Sequence, residues 1–188
     1  FISLQKKYMF ETVKNRRTIR KYLPKDIAPD LLNDLLETSF RASTVGNMQV
    51  YSVIVTRDAE RKAKLAPAHF NQPMVRTAPV VLTFCIDLRR FSKWCEQRKA
   101  EPGYNNFEWF VTGAVDTLLV AQTFCVAAEE KGLGICYLGT TTYNPQMIVG
   151  VTGIGVSHHD SHSGMACRTA GTSGPFAAGG HCTRRGLS

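Results

Sequence analysis

A long apolar segment in the second half of the chain constrains the fold more than any other feature. Residues 108–131 have the pattern of a single helix that is apolar on most of its circumference, and Gly132 suits its C-terminal cap. The stretch 110–128 approaches the length of a membrane span, but Asp116, Gln122 and three threonines interrupt it. We therefore expect a buried helix that is covered on several sides by a sheet, with a second subunit as a further candidate cover.

Shorter patterns on both sides of this helix indicate a mixed fold. An apolar run that follows Pro79 is typical of a strand buried on both faces, and leucines repeat at helical spacing after Pro29. The predicted helices are 8–15, one that begins at Pro29, 59–66 and 88–99; the predicted strands are 50–56, 80–86 and 135–138. Because helices and strands alternate, the class is α/β or α+β.

The charge of the chain favours an anionic partner. Its 188 residues have a formal charge of +8, and a basic segment lies at Asn15–Arg20. A basic run is often only a solvated face, but this charge also suits nucleic acid, acidic lipid or a phosphorylated cofactor. Basic residues do not alternate with aromatic ones here, so we predict no nucleic-acid partner. We also predict no membrane partner.

Common motifs for nucleotides, metals and disulfides are missing from the sequence. It contains no GxGxxG, no GxxxxGK followed by Ser or Thr, no HExxH and no CxxC. Four of the six cysteines lie in apolar or helical contexts, which is typical of reduced thiols. The start of the sequence has no long apolar stretch, so no signal peptide is predicted. These features together predict a cytoplasmic protein without a metal site.

Four segments together resemble the FMN-dependent nitroreductase family, also described as NAD(P)H nitroreductase or flavin reductase-like. RRTIR at 16–20 resembles the family's opening pattern Arg-x-Ser/Thr-x-Arg/Lys, and ASTVGNMQVY at 42–51 resembles its small-residue loop that leads into a strand. NQP at 71–73 precedes Ala78-Pro79 and the buried run, and 113–139 resembles the long helix with its following glycines. The segments keep the family's order over residues 8–148.

This resemblance implies an α+β fold in which helices flank a central, mostly antiparallel sheet, and an intertwined homodimer with FMN at the subunit interface. It implies that the FMN phosphate, ribityl chain and pyrimidine edge are held by Arg16, Arg17, Thr18 and Arg20. It implies that the flavin of the partner subunit is contacted by Ser43, Thr44, Asn47 and Gln49. The polar edge of the ring would be contacted by Asn71 or Gln72, and the ring would be lined by Tyr137, Leu138, Gly139 and Thr140.

The implied activity is that of an NAD(P)H-dependent FMN oxidoreductase. Hydride would pass from NADPH or NADH through flavin N5 to a nitroaromatic, quinone or flavin acceptor, by a ping-pong mechanism. Guanidinium groups suit the phosphate because their planar donors form charge-assisted hydrogen bonds. The flavin carries the redox chemistry, so no catalytic side chain is predicted. The alternative is a non-catalytic flavin-binding protein, or an inactive truncated or frameshifted product.

The end of the chain differs in composition from the rest. We therefore divide the sequence into a nitroreductase-like FMN-binding domain, 1–150, and an aberrant tail, 151–188. Gly, Ser, Thr and Ala dominate the tail, and its histidines suggest zinc, but no helix pattern and no CxxC supports such a site. Codons can be chosen for 155–188 so that the next reading frame encodes a family-like ending. We expect a frameshift near 149–151, with a disordered native tail as the alternative.

Overall fold

The computed structural model describes residues 11–101, 103 and 106–153. The predicted tail lies outside the described residues from position 154 onward, as does the start of the predicted helix 8–15. The helices are α1 (residues 11–15), α2 (Pro29–Ser39), α3 (Ala59–Leu65), α4 (Pro73–Thr77), α5 (Arg89–Gln97), α6 (Phe107–Glu130) and α7 (Pro145–Thr152); the strands are β1 (Tyr51–Thr56) and β2 (Val81–Ile86); short 3-10 helices lie at Val45–Asn47, Ala66–His69 and Gly139–Thr142.

The two strands pair in the antiparallel direction, with Tyr51 opposite Ile86 and Thr56 opposite Val81. All six residues of β2 are buried, as the apolar run after Pro79 predicts. A small antiparallel sheet among many helices confirms the α+β class within the described part of the chain.

Helix α6 is the long core helix that the sequence predicts. The Asn106 side chain caps its start by accepting a hydrogen bond from the Trp109 backbone N–H at 3.2 Å. Gly132 follows its end with φ of +76°, which confirms the predicted glycine cap. One face of α6 packs with α2, β1 and β2 around Phe84 and Phe124, and this packing forms the first hydrophobic core.

A second hydrophobic core lies under the loops of the candidate site. It unites the inner faces of α3, α4 and α7 with the segment 136–138. Leu65, Ile148 and Leu138 are almost fully buried there. The loops at 66–72 and 136–142 are therefore supported by one packed cluster.

Three features differ from the sequence predictions. Within the described residues the predicted strand at 135–138 is wrong: the segment is buried, but it forms no strand ladder there, and Ile135 O accepts one backbone hydrogen bond, from Ile19 N at 2.9 Å. A strand requires a paired run, and one bond does not make one. The other two features are helices α4 and α7, which were not predicted. Helix α7 ends at Thr152, two residues after the predicted boundary at 150, and the division into domain and tail stays a prediction.

Candidate functional site

The basic segment 16–20 starts beside the C-terminal end of α6. Arg16 Nε donates to Glu129 Oε2 at 3.0 Å, and this ion pair raises the pKa of Arg16. One turn earlier, the Thr12 hydroxyl donates to the carboxylate of Glu130. The segment is thus anchored by the end of a rigid helix.

The same segment also lies against residues 135–138. Ile19 N donates to Ile135 O at 2.9 Å, and the Tyr22 hydroxyl donates to Ile19 O at 2.9 Å. Burial raises the pKa of the Cys136 thiol, and the nearby positive charge of Arg20 partly opposes this shift. All four predicted phosphate-site residues are exposed on this surface: Arg16, Arg17, Thr18 and Arg20. The basic segment and the segment before Gly139 therefore form one continuous surface.

A buried histidine joins two further loops of the predicted site. His69, at 1% exposure, ends the 3-10 helix Ala66–His69, and its Nδ1 lies 2.8 Å from Thr140 Oγ1 in the 3-10 helix Gly139–Thr142. Burial lowers the pKa of His69, so the neutral ring is favoured at neutral pH. The bond fixes the residues that follow His69 against the turn at Gly139.

The residues after His69 have a constrained backbone. Phe70 and Asn71 both adopt φ of 54°, a region that non-glycine residues rarely occupy. The exposed Phe70 ring contacts Tyr143 edge to face, with centroids 5.7 Å apart. Arg76 Nη2 donates to Asn71 Oδ1 at 3.3 Å, and Gln72 is half-buried. This turn therefore carries two amide side chains, and contact of Asn71 or Gln72 with the polar edge of a ring stays a prediction.

The turn at Gly139 leaves its backbone open. Gly139 is exposed, and no atom lies within 4 Å of the position that a Cβ would occupy. The preceding Leu138 is buried, whereas the Tyr137 hydroxyl donates to Gln122 Oε1 at 3.2 Å. A flat ligand can approach the Gly139 backbone without displacing a side chain.

The remaining predicted residues lie on a loop that α6 holds at another point. Asp116 is fully buried on α6, and its Oδ1 accepts a hydrogen bond from Val45 N at 2.8 Å. Its Oδ2 accepts one from Val50 N at 3.4 Å. On this loop Ser43, Asn47 and Gln49 are exposed and Thr44 is half-buried. Sequence reasoning assigned Asp116 no role, although an acidic residue within an apolar helix is a usable signal of a buried polar contact.

The structure thus gathers three of the four predicted segments and leaves one apart. The segments at 16–20, 71–72 and 137–140 are joined by the contacts described above. The loop at 43–49 is bonded to Asp116, whereas Arg16 is bonded to Glu129, 13 positions further along α6. A rise of about 1.5 Å per residue places these two anchor points about 20 Å apart along the helix.

The described residues also bear on a metal site and on a membrane span. Within them, no group of three or more His, Cys, Asp or Glu side chains could hold a metal ion. Helix α6 is long and apolar enough to cross a membrane, but 39% of its most apolar window is buried in the protein. Core helices pass the same test of length and composition, so this is weak evidence for a membrane span.

Comparison with known proteins identifies the family. The sequence model described as the Nitroreductase family matches residues 13–154, three quarters of the chain. The chain belongs to the nitroreductase family. An FMN reductase (NADPH) from Bacillus subtilis is 31% identical over 170 residues, which is 84% of this chain and 68% of that protein. A Cr(VI) reductase from a Pseudomonas strain is 32% identical over 138 residues, 73% of this chain and 57% of that protein.

Solved structures of the nitroreductase family have the same fold. A Bacteroides fragilis protein named only as an oxidoreductase is 61% identical, with a TM-score of 0.81 over 93% of this chain and 68% of that one. The nitroreductase NfrA1 of Bacillus subtilis is 28% identical, with a TM-score of 0.83 over 94% of this chain and 70% of that one. The chain spans between 53% and 68% of the length of the curated relatives that it matches.

Proposed function

We propose that this nitroreductase-family chain is a cytoplasmic FMN-dependent oxidoreductase that takes hydride from NADPH or NADH and reduces small-molecule acceptors. One observation carries the proposal. The basic segment 16–20, the amides of Asn71 and Gln72, and the open backbone at Gly139 lie on one connected surface. Relatives named as FMN reductases support the choice of flavin.

The residues on this surface fit the parts of FMN. Guanidinium groups of Arg16, Arg17 and Arg20 supply charge-assisted donors for a phosphate. The amides at positions 71 and 72 can both donate and accept, as the polar edge of the flavin ring requires. The open backbone at Gly139 admits the flat ring. When bound, the flavin supplies the redox chemistry, and the chain binds it, orients it and keeps water from one of its faces.

We further propose that two copies of the chain build the site together. One loop carries Ser43, Thr44, Asn47 and Gln49, and it is held about 20 Å along α6 from the ion pair of Arg16. This distance favours a contact between that loop and the flavin bound mainly by the other copy. Large apolar side chains on the outer face of α6 are exposed: Phe107, Val111, Val115, Leu118 and Leu119. An exposed stripe of this kind marks an interaction surface, and a second copy would cover it.

Nitroaromatics, quinones and free flavin are the acceptors that we propose. Chromate belongs in the same assay because one relative is named a Cr(VI) reductase. The alternative function is a flavin-binding protein without catalytic activity. Anaerobic addition of NADPH or NADH separates the two, because the enzyme's bound flavin loses its visible absorbance and the alternative's does not.

The test of binding is a titration of FMN, followed by quenching of flavin fluorescence. We expect the variant Arg20→Gln to weaken FMN binding by about tenfold or more, since one charge-assisted hydrogen bond is lost. Arg98→Gln is the matched control, because Arg98 lies at the end of α5 with its guanidinium over the Trp94 ring. Absence of quenching by the wild-type chain, or equal effects of the two variants, would contradict the proposed site.

A further inference from the structure

Two side chains of opposite charge hold the backbone of the loop formed by residues 45–51, here called the 45–51 loop. Asp116, at 0% exposure on α6, accepts hydrogen bonds from the backbone N–H groups of Val45 and Val50. These two amides lie at the start of the loop and next to its end, so one carboxylate holds the two ends of the loop together. A buried carboxylate needs such donors because it has left water.

The opposite type of backbone group is held by an arginine. Arg90, on α5, uses Nη2 to donate to the carbonyl oxygens of Gln49 and Tyr51, the latter at 3.1 Å. The anionic side chain thus takes backbone donors and the cationic side chain takes backbone acceptors. The two contacts come from different helices, so the loop is fixed to both.

The loop requires this support because its backbone is strained. Gly46, Asn47 and Gln49 adopt φ of 58°, 55° and 53°. Glycine adopts such a conformation freely and asparagine does so often, but a residue such as Gln49 keeps it only where the surroundings impose it. Without the two contacts, residues 47 and 49 would be expected to relax to the common regions of backbone conformation, and their side chains would turn away.

We propose that Asp116 and Arg90 are positioning residues that preorganise the 45–51 loop for the flavin site. The inference rests on the proposed function, in which Asn47 and Gln49 contact the flavin held mainly by the other copy. Because α6 carries both Asp116 and the exposed apolar stripe, the loop's position is tied to the helix at the proposed dimer surface. A preorganised loop binds with less loss of conformational entropy, and therefore more tightly.

The first test compares Asp116→Asn with Thr117→Val. Asparagine keeps the shape of the aspartate side chain, but one carboxylate oxygen becomes an NH2 group. That group is a donor and would face a backbone N–H, which is also a donor. Thr117 is the matched control because it is buried on the same turn, and its hydroxyl donates only within the helix, to Gly113 O at 2.7 Å. Hydrogen exchange at the amides of Val45 and Val50 is measured in the ligand-free chain, and FMN affinity is measured by fluorescence.

We expect Asp116→Asn to speed exchange at both amides and to raise the FMN dissociation constant, each by about tenfold or more, the effect of losing one hydrogen bond to a charged group. Thr117→Val should change neither by more than about twofold. Unchanged exchange in Asp116→Asn, or equal acceleration in the control, would overturn the inference.

The second test uses Arg90→Lys and keeps the inference falsifiable if Asp116→Asn does not fold. Arg90 is exposed, so the folded chain should be retained, while a lysine side chain ends one bond short of the Nη2 atom that donates to both carbonyl groups. Arg89→Lys, on the neighbouring exposed residue of α5, is the control. We expect faster exchange within the 45–51 loop only in Arg90→Lys. If the wild-type chain binds no FMN, the proposed function fails, and the exchange rates alone still decide whether these residues position the loop.

Discussion

Replacing Gly113 by alanine tests how closely α6 packs on the sheet. A Cβ at this position would lie 2.4 Å from Cγ2 of Ile86 and 3.5 Å from Cδ2 of Leu88. Real Cβ atoms do not approach other heavy atoms to 2.4 Å. Ile86 is β-branched and buried in β2, so its χ1 angle has little freedom to turn away. The helix or the strand must therefore move.

Two effects of opposite sign decide the result. Alanine is favoured over glycine inside a helix by about 1 kcal/mol. Overpacking a dense core costs about 1–3 kcal/mol. Since the contact is far inside the van der Waals distance, we take the upper part of that range and expect a net loss of about 1–2 kcal/mol. For a chain of this size, that loss lowers the melting temperature by about 2–8 °C.

The assay is thermal and urea unfolding of Gly113→Ala and Gly150→Ala at one protein concentration. Gly150 is the matched control because it lies inside α7, and an added Cβ there meets no atom within 4 Å. The control should gain about 0.5–1 kcal/mol from helix propensity alone. The packing argument is refuted if Gly113→Ala is as stable as the wild type or gains stability as the control does.

Three further predictions concern residues around the site and on α5. Burial lowers the pKa of His69, so the unfolded chain binds more protons at this residue than the folded chain does. The free energy of unfolding should therefore fall as pH drops below about 6.5, by at most about 1.4 kcal/mol per pH unit. In urea titrations, the stability difference between the wild type and His69→Asn should decrease over the same pH range. Lys99 follows α5 with φ of 55°, and Lys99→Gly should raise stability by about 1 kcal/mol, with no gain in melting temperature counting against this. A double-mutant cycle of Arg16→Gln and Glu129→Gln should give a coupling of about 0.5–1 kcal/mol, because the arginine is partly solvated; zero coupling would show that the ion pair does not form in solution.

The parts of the fold that are encoded locally were predictable from the sequence. The length of α6 and the burial of β2 follow from long, largely apolar patterns, which do not depend on a distant partner. The segment 135–138 has the same apolar character, but a strand also needs a paired neighbour, and in the described part of the chain Ile135 has one backbone hydrogen-bonded partner. The five residues of α4 are too few to show a helical period.

The candidate site was predictable only in part, for a related reason. The resemblance placed residues at 16–20, 71–72 and 137–140 in one site, and the structure joins these segments. It gave no role to His69, Arg90 or Asp116, whose contacts lie between 39 and 71 positions away in sequence. The roles of these residues depend on contacts with residues that are distant in sequence. Their local sequence therefore shows only an isolated polar residue, which is a weak signal.

The exposed stripe on the outer face of α6 has a consequence for how the chain must be made in a cell. A newly folded copy presents apolar side chains along about 18 Å of α6, from Phe107 to Leu119. Until another surface covers this stripe, correct association competes with aggregation, and the outcome depends on how many copies are present. Refolding by dilution should therefore give its best yield at intermediate concentration. The cellular supply of this protein would then be set by its rate of synthesis and by chaperone capacity as much as by its intrinsic stability.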